Sequence, residues 1–332
     1  MGLLRTYRAS LLIVVCAATA ATGLLFRPGN NGEIRWAHVY EISSPYHQEA
    51  LRAAAEFEER TGGQYRIRVY PASVLGNEVS LNEAIRIGAI DVIYTGPSLV
   101  APQYPPIAIA EPPFAIHDYA HWKAFRDSDL FDEIAENFRD VTGITVAGFV
   151  YYGFRHVTAN RPIRHPDDMK NLKIRVPNAP LYLLMPDNTG ANSAPMPFAE
   201  VYLALQQGVV DAQENPLTTI RFKRFYEVQS HISLTGHMSN SLLTLVSPHT
   251  LERLDDPVRA ALFDVITASN ERASNEIDRQ ERELAYWFRA QGLTVVDVDR
   301  DAFRRALGPA LAEAGKPIGA DYFRRLRALA TP

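Results

Sequence analysis

The chain holds a single cysteine, Cys16, in 332 residues. Everything downstream of it is therefore closed to thiol nucleophiles, Cys-x-x-Cys redox pairs and Cys-ligated metals. Charge of one sign is not in excess either. The 34 Lys and Arg stand against 38 Asp and Glu, a net of −4, without the basic surplus that nucleic-acid-binding domains carry. Gly and Pro follow no collagen-like period, and there is no internal repeat or low-complexity tract. Beyond residue 26 no segment is long and apolar enough to cross a membrane. A Walker loop, a Gly-x-Ser-x-Gly elbow and a dinucleotide-binding glycine pattern are all missing, which removes the motifs for nucleotide binding and serine hydrolysis.

What is present begins at the N-terminus. Arg5 and Arg8 precede an uncharged run from Ala9 to Phe26, whose most apolar part is Leu11–Val15, followed by small residues. This is the layout of a secretory signal peptide over residues 1–26, with Ala18-x-Ala20 as a cleavage pattern and processing expected near 20–26. The alternative is an uncleaved anchor, since the run just reaches bilayer length. Cys16 follows Ile-Val-Val, which lacks the small residue that lipid attachment wants. An exported body without thiols suits an oxidising compartment.

The rest of the chain, 47% hydrophobic over the whole sequence, has the length of two packed domains. Residues 33–40 read as a strand. Ser43 and Ser44 offer an N-cap to a helix whose apolar positions are Ala50, Leu51, Ala54 and Phe57, stopped by Gly62-Gly63. A strand at 65–70, a helix over 77–87 ended by Gly88 and a strand at 90–94 complete a β-α-β-α-β opening, the pattern of a mostly parallel sheet with helices on its faces. A proline-rich extended passage over 97–113 leads to two helices at about 117–139. Further strands are expected at 144–151, 172–176 and 209–213, with an amphipathic helix over 198–207 capped by Gly208. From Pro257 to about Ala290 the chain reads as one helix, about 50 Å long at 1.5 Å per residue. That is longer than one domain needs.

Two arginines invite attention. Arg155 falls just past the expected end of a strand, and Arg175 falls inside Leu172–Val176. A guanidinium in an apolar strand needs an anionic partner, and its fork matches a carboxylate in bidentate geometry. The partner is either an acid of the chain, such as Glu200 or Glu214, or the anion of a ligand. Asn215 precedes Pro216 and is pushed to extended geometry. It is either a plain turn residue or an amide presented at a strand end, where α/β sheets bind ligands. His117 and His121 have the spacing of metal ligands on one helix face but no third partner, so they read as surface histidines, and no metal or cofactor is expected. Asp167-Asp168 and Asp255-Asp256 stand where helices start and read as caps.

The run Leu172-Lys-Ile-Arg-Val-Pro-Asn178, then Pro195-Met-Pro-Phe-Ala-Glu-Val-Tyr-Leu-Ala-Leu-Gln-Gln-Gly208, then Val210-Asp-Ala-Gln-Glu-Asn-Pro216, closely resembles the TRAP-transporter solute-binding proteins of the DctP type. The likeness continues through Tyr152-Gly-Phe-Arg-His-Val-Thr-Ala-Asn-Arg161 and, more loosely, Pro71-Ala-Ser-Val-Leu-Gly76 and Ala89-Ile-Asp-Val92. The resemblance implies an α/β, two-domain periplasmic binding protein-like fold that closes on its ligand, with a long helix spanning both domains. The expected division is 27–152 plus about 241–280 for domain I, and 153–240 plus about 281–332 for domain II. It further implies that Arg175 bonds the ligand carboxylate, that Arg155 adds a second contact, and that Asn215, Phe198 and Asn178 line the cleft. The implied partners are a small organic acid and membrane permease subunits, and the implied location is the periplasm.

The sequence departs from the sialic acid-binding members of that family. In the first domain it offers Val39, Tyr94, Thr95, Gly96 and Leu99 where those members carry an acidic and a basic ligand contact. This suggests a smaller or less polar acid, with Tyr94 among the pocket residues. No chemical step is expected, and a monomer is expected rather than a dimer. Two alternatives are a two-domain α/β enzyme acting on a carboxylate, for which no catalytic set stands near Arg175, and a binding protein with the same pocket serving a sensor or chemoreceptor.

Overall fold

A computed structural model describes residues 32–330; the segment read as a signal peptide lies outside the described residues. The opening reading holds. β1 (Glu33–Ala37), α1 (Pro45–Arg60), β2 (Arg66–Tyr70), α2 (Glu78–Arg86) and β3 (Val92–Thr95) follow in order, with β1 parallel to both β2 and β3. The Ser44 side chain accepts the His47 backbone N–H at the start of α1, and Ala50, Ala53 and Phe57 bury one face of that helix. The proline-rich passage contains one helical turn, α3 (Pro97–Val100), and a 3-10 turn at Pro105–Ala108. The two helices after it are α4 (Tyr119–Arg126) and α5 (Asp129–Thr142).

The centre of the sheet differs from the mostly parallel expectation. Its two longest strands, β4 (Thr145–Ala159) and β8 (His231–Val246), pair antiparallel along most of their length. The C-terminal end of β8 also pairs with β3, and its N-terminal end with β9 (Thr294–Val296). The far end of β4 pairs with β7 (Ala212–Pro216), which continues to β5 (Lys173–Val176) and β6 (Asn192–Pro195). The order is β2-β1-β3-β8-β4-β7-β5-β6. One half of the molecule is thus built on β2, β1 and β3, the other on β7, β5 and β6, and β4 and β8 run through both.

The strand expected to end at Tyr151 continues because three register irregularities, at Val146/Gly148, Tyr151/Gly153 and Arg155/Val157, bend it without ending its pairing. Gly153 has φ 114°, and a Cβ there would stand 2.8 Å from Pro216 Cβ and 3.1 Å from Glu281 Cδ.

The remaining helices are α6 (Pro180–Asp187), α7 (Val201–Gln206), α8 (Leu217–Phe222), α9 (Pro248–Arg253), α10 (Asp256–Ala290), α11 (Arg300–Gly315) and α12 (Ala320–Ala328). The long helix is α10, capped by Asp255, which accepts the Val258 N–H. It serves both halves. Ser274 Oγ accepts the Tyr151 N–H at 3.0 Å, Arg272 pairs with Glu49 of α1, and Glu281 Oε1 accepts the Thr218 N–H at 2.9 Å.

The expected division of the C-terminal segment is not what the packing shows. α11 lies on the second half, where Phe303 and Leu307 join Val157, Ile174 and Met185 in one core. α12 returns to the first half: Arg325 Nη1 is 2.7 Å from Glu133 Oε2, and Ile318 and Leu326 are buried in the first core. His121 Nε2 lies 3.0 Å from the Leu326 carbonyl, so that histidine is buried and occupied rather than on the surface.

Gly153→Ala tests the tight passage through the middle of β4. Positive φ and the close approach to Pro216 together are expected to lower the unfolding free energy by about 2 kcal/mol or more, read as a lower urea midpoint at unchanged slope.

Candidate functional site

β5 sets Arg175 in place. Ile174 and Val176 are fully buried, and Arg175 is itself only 1% exposed. Its Nε and Nη2 both donate to the Met196 carbonyl, at 3.1 and 2.7 Å. The other N–H groups have no hydrogen-bond partner among the described residues, and no carboxylate there forms an ion pair with it. Burial pulls the guanidinium pKa down to about 10, opposed by the field of Glu78. The Phe198 ring centre lies 5.9 Å from Arg175 Cζ, and Lys223 Nζ stands 5.0 Å from the same ring while pairing with Glu41 at 2.6 Å.

The acids that could have answered Arg175 are elsewhere. Glu200 is exposed, and Glu214 is committed to Arg155. Arg155 Nε bonds Glu214 Oε2, and Nη2 donates to Glu214 Oε1 at 2.7 Å. Nη1 donates to Asn240 Oδ1 at 2.7 Å, and Cζ sits 5.0 Å from the Tyr182 ring centre. Burial pushes the Glu214 carboxyl up, but Arg155 and His237 outweigh it and hold it below the usual range. Burial also opposes the charge on Arg155, and Glu214 more than offsets it, so that guanidinium titrates higher than usual. Asn215 lies within β7, not in a turn. Its Nδ2 donates to Gln213 Oε1 at 2.6 Å, and Tyr152 Oη lies 3.5 Å from its Oδ1.

Arg175, Arg155, Phe198 and Asn215 converge on one cavity. From the second half come also Pro177 and Tyr182; Tyr152 and Asn240 come from the shared strands. The first half supplies Tyr40, Glu78, Gly96 and Leu99. The inner space is tight, about 40 Å³, room for a few waters. A second space of about 430 Å³ shares Glu78, Leu99, Arg175 and Pro177 with it, and Asn178 lines this outer space instead of the inner one. A larger groove between Phe114, Leu311 and Phe323 contains none of these residues.

Two expectations for the first half need correction. Tyr94 does not line the cavity; its ring is buried against Trp36 and His38, with centres 5.1 and 5.9 Å away. Val39 and Thr95 are likewise absent from the lining, and only Gly96 and Leu99 of that set reach it. An acidic side chain is not missing either. Asn77 caps α2 by accepting the Ser80 N–H, which makes Glu78 the first helical residue. Glu78 lines both spaces, is half-buried, and has no hydrogen-bond or ion-pair partner among the described residues. The signal for it was an acid directly after Gly76-Asn77, which reads first as an ordinary acid at a helix N-terminus.

A family model described as bacterial extracellular solute-binding protein, family 7, matches residues 36–316. The chain is 30% identical over 288 residues to the sialic acid-binding periplasmic protein of Vibrio cholerae, covering 87% of this chain and 90% of that one. It is 32% identical over 276 residues to a solute-binding protein of Verminephrobacter eiseniae, covering 82% of each. Among solved structures, a TRAP periplasmic solute-binding protein from Bordetella, with density assigned to pantoate, aligns with a TM-score of 0.85 at 31% identity over 90% of this chain and 100% of its own. One from Polaromonas, bound to D-erythronate, aligns with a TM-score of 0.86 at 27% identity over 91% and 100%.

Glu214→Gln leaves Arg155 buried without its counter-charge. It is expected to cost about 3 kcal/mol or more of stability, measured by chemical denaturation of the ligand-free protein. A loss below 1 kcal/mol would show that the pair is not what holds Arg155.

Proposed function

The chain belongs to family 7 of the bacterial extracellular solute-binding proteins, and from that membership we propose that it captures a small hydroxylated carboxylic acid on Arg175 and delivers it to a TRAP membrane permease. The observation that carries the reading is the buried guanidinium of Arg175, which faces a cavity with donors to spare and no acid of its own. A ligand carboxylate is the group that answers both its charge and its fork.

The other residues follow from the ligand's second end. Glu78 approaches from the opposite half of the molecule and accepts hydrogen bonds, so it suits ligand hydroxyls and repels a second carboxylate. Asn215 keeps a second amide N–H beside the one given to Gln213, Asn240 is held by Arg155 and Glu111, and Tyr40, Tyr152 and Phe198 give apolar walls. Arg155 is a secondary contact at most, because Glu214 and Asn240 already occupy its donors. Glu78 reverses the expectation of a less polar ligand, while the tight inner space supports the expectation of a small one. Pantoate, assigned to density in one related protein, and D-erythronate, bound to another, are hydroxy acids of this kind.

The mechanism is capture by closure. A carboxylate entering the outer space meets Arg175 and Glu78 together. Ordering the two halves around it excludes water and strengthens the charge-assisted bonds. β4, β8 and α10 are continuous through both halves, so they are the elements that bend. Export by an N-terminal signal, residence in the periplasm and action as a monomer complete the reading. The family consists of binding proteins, and beside Arg175 no described residue pairs a nucleophile with a base, so the enzyme alternative gains no support. A sensor partner would use the same pocket.

A thermal-shift screen of D-erythronate, pantoate, L-gulonate and succinate is expected to raise the melting temperature with one of the hydroxy acids. Arg175→Ala is expected to weaken that ligand by about 30-fold or more, the 2–5 kcal/mol scale of a buried charged pair, with unchanged circular dichroism. Binding within threefold of the unsubstituted protein in calorimetry would remove the proposal.

A further inference from the structure

Glu111 lies near the end of the proline-rich passage and is fully buried. It does not line the cavity, and it forms no ion pair among the described residues. Its Oε2 accepts the Ser98 backbone N–H at 2.8 Å and bonds the Ser98 hydroxyl. Its Oε1 accepts from Asn240 Nδ2 at 2.6 Å. Asn240 is a cavity residue, and its Oδ1 takes Arg155 Nη1 at 2.7 Å. The Asn240 amide is therefore held at both ends, by a carboxylate on one side and a guanidinium on the other, with Tyr182 Oη 3.2 Å from its Nδ2.

The polar groups facing Glu111 come from several elements, and Arg155 is the charged one among them. Ser98 belongs to α3, Asn240 and the Ser241 backbone to β8, Tyr182 to α6 and Arg155 to β4. Arg155 is already matched by Glu214 of β7, whose Oε2 also has His237 Nε2 of β8 3.4 Å away. Arg175 is the cation left for an incoming anion. Once a carboxylate sits on Arg175, the two guanidinium groups stand against Glu214, Glu78 and the ligand, so an ionised Glu111 adds to an excess of negative charge in a space that excludes water.

We propose that Glu111 takes up a proton when the carboxylate ligand binds, making capture proton-linked, and that Glu111 is a positioning residue acting on the cavity through Asn240. The inference rests on the carboxylate-capture reading given above. The site is built to hold either protonation state. The Ser98 hydroxyl donates to a carboxylate and accepts from a carboxyl, so the proton is accommodated without breaking the contact to Asn240.

Burial already pushes the Glu111 carboxyl up to about 7, with the Ser98 hydrogen bonds and Arg155 restraining it. A nearby anion moves it further in the same direction. The bound form then has the higher pKa, so affinity is full below about pH 7 and declines as pH rises from the free towards the bound value, by at most about tenfold per pH unit for one proton. Glu281 of α10, pushed by burial to about 8, titrates in the same range. It accepts the Thr218 N–H, and Asn240 bonds Glu111 and Arg155 instead.

The test is calorimetry of the protein with D-erythronate and with pantoate from pH 6 to 8.5, in buffers of different ionisation enthalpy. At pH 7 about half a proton should be taken up per ligand, and Kd should rise roughly threefold or more across the range. Glu111→Gln should abolish the uptake and flatten the profile. Ser98→Ala keeps the carboxyl but removes a donor to it, and should move the decline to higher pH. Enthalpies independent of buffer in the unsubstituted protein would overturn the inference, as would an unchanged proton count in Glu111→Gln. If that variant does not fold, an unmoved profile in Ser98→Ala overturns it instead. If neither acid binds at pH 6, the carboxylate-capture reading fails and this inference with it; binding without proton uptake overturns this inference alone.

Discussion

Burying a guanidinium without a counter-ion costs several kcal/mol, and Arg175 is buried that way. The contrast with Arg155 gives the fact its meaning. Both arginines are nearly inaccessible, Arg155 on the shared strand β4 and Arg175 on β5 of the second half. Glu214 answers Arg155 through two nitrogens, and Asn240 takes a third. Arg175 has one backbone carbonyl. The chain thus holds one arginine in a closed internal network and leaves the next open to the cavity. A folded protein that only needed stability would do better with an apolar residue there. The unmet charge makes sense as a site completed from outside, where the ligand's carboxylate offsets the cost that folding alone leaves.

The sheet supplies what such a site needs mechanically. β4 and β8 carry cavity residues near their middles, Tyr152 and Arg155 on one and Asn240 and Ser241 on the other. The same stretches contain the register irregularities and the positive-φ Gly153. The irregular stretches of β4 and β8 are therefore also the stretches that line the cavity. α10 lies across them, bonded to β4 through Ser274 and to the β7–α8 junction through Glu281. In the proposed closure, movement of one half against the other passes through these three elements.

Much of this was readable from residues alone, for physical reasons that differ by element. The opening β-α-β-α-β stretch and the long α10 follow from periodicity and caps, which are local. Arg175 was visible as a charge in an apolar strand, but whether its partner was internal could not be read from spacing, because Glu214 is only one residue from Asn215 and looks equally able to reach either arginine. β8 was missed altogether. Its inward residues include Ser233, Thr235, His237, Ser239, Asn240 and Thr244, so the strand is buried without showing an apolar pattern, and Asn240 was missed with it. Tyr94 was misjudged because a strand residue next to the cleft can point into the core, as its packing on Trp36 shows. The return of α12 to the first half depends on the burial of Ile318 and Leu326, a tertiary outcome no local signal announces.

The most direct test of the account is the stability of Arg175→Met without ligand. Methionine fills a similar volume, needs no counter-charge and cannot bind a carboxylate. If Arg175 is an unmet charge kept for a ligand, the unfolding free energy of this variant equals or exceeds that of the unsubstituted protein while hydroxy-acid binding is lost. A loss of about 3 kcal/mol or more, the scale for breaking an internal ion pair, would mean that Arg175 is a structural residue and would contradict the account.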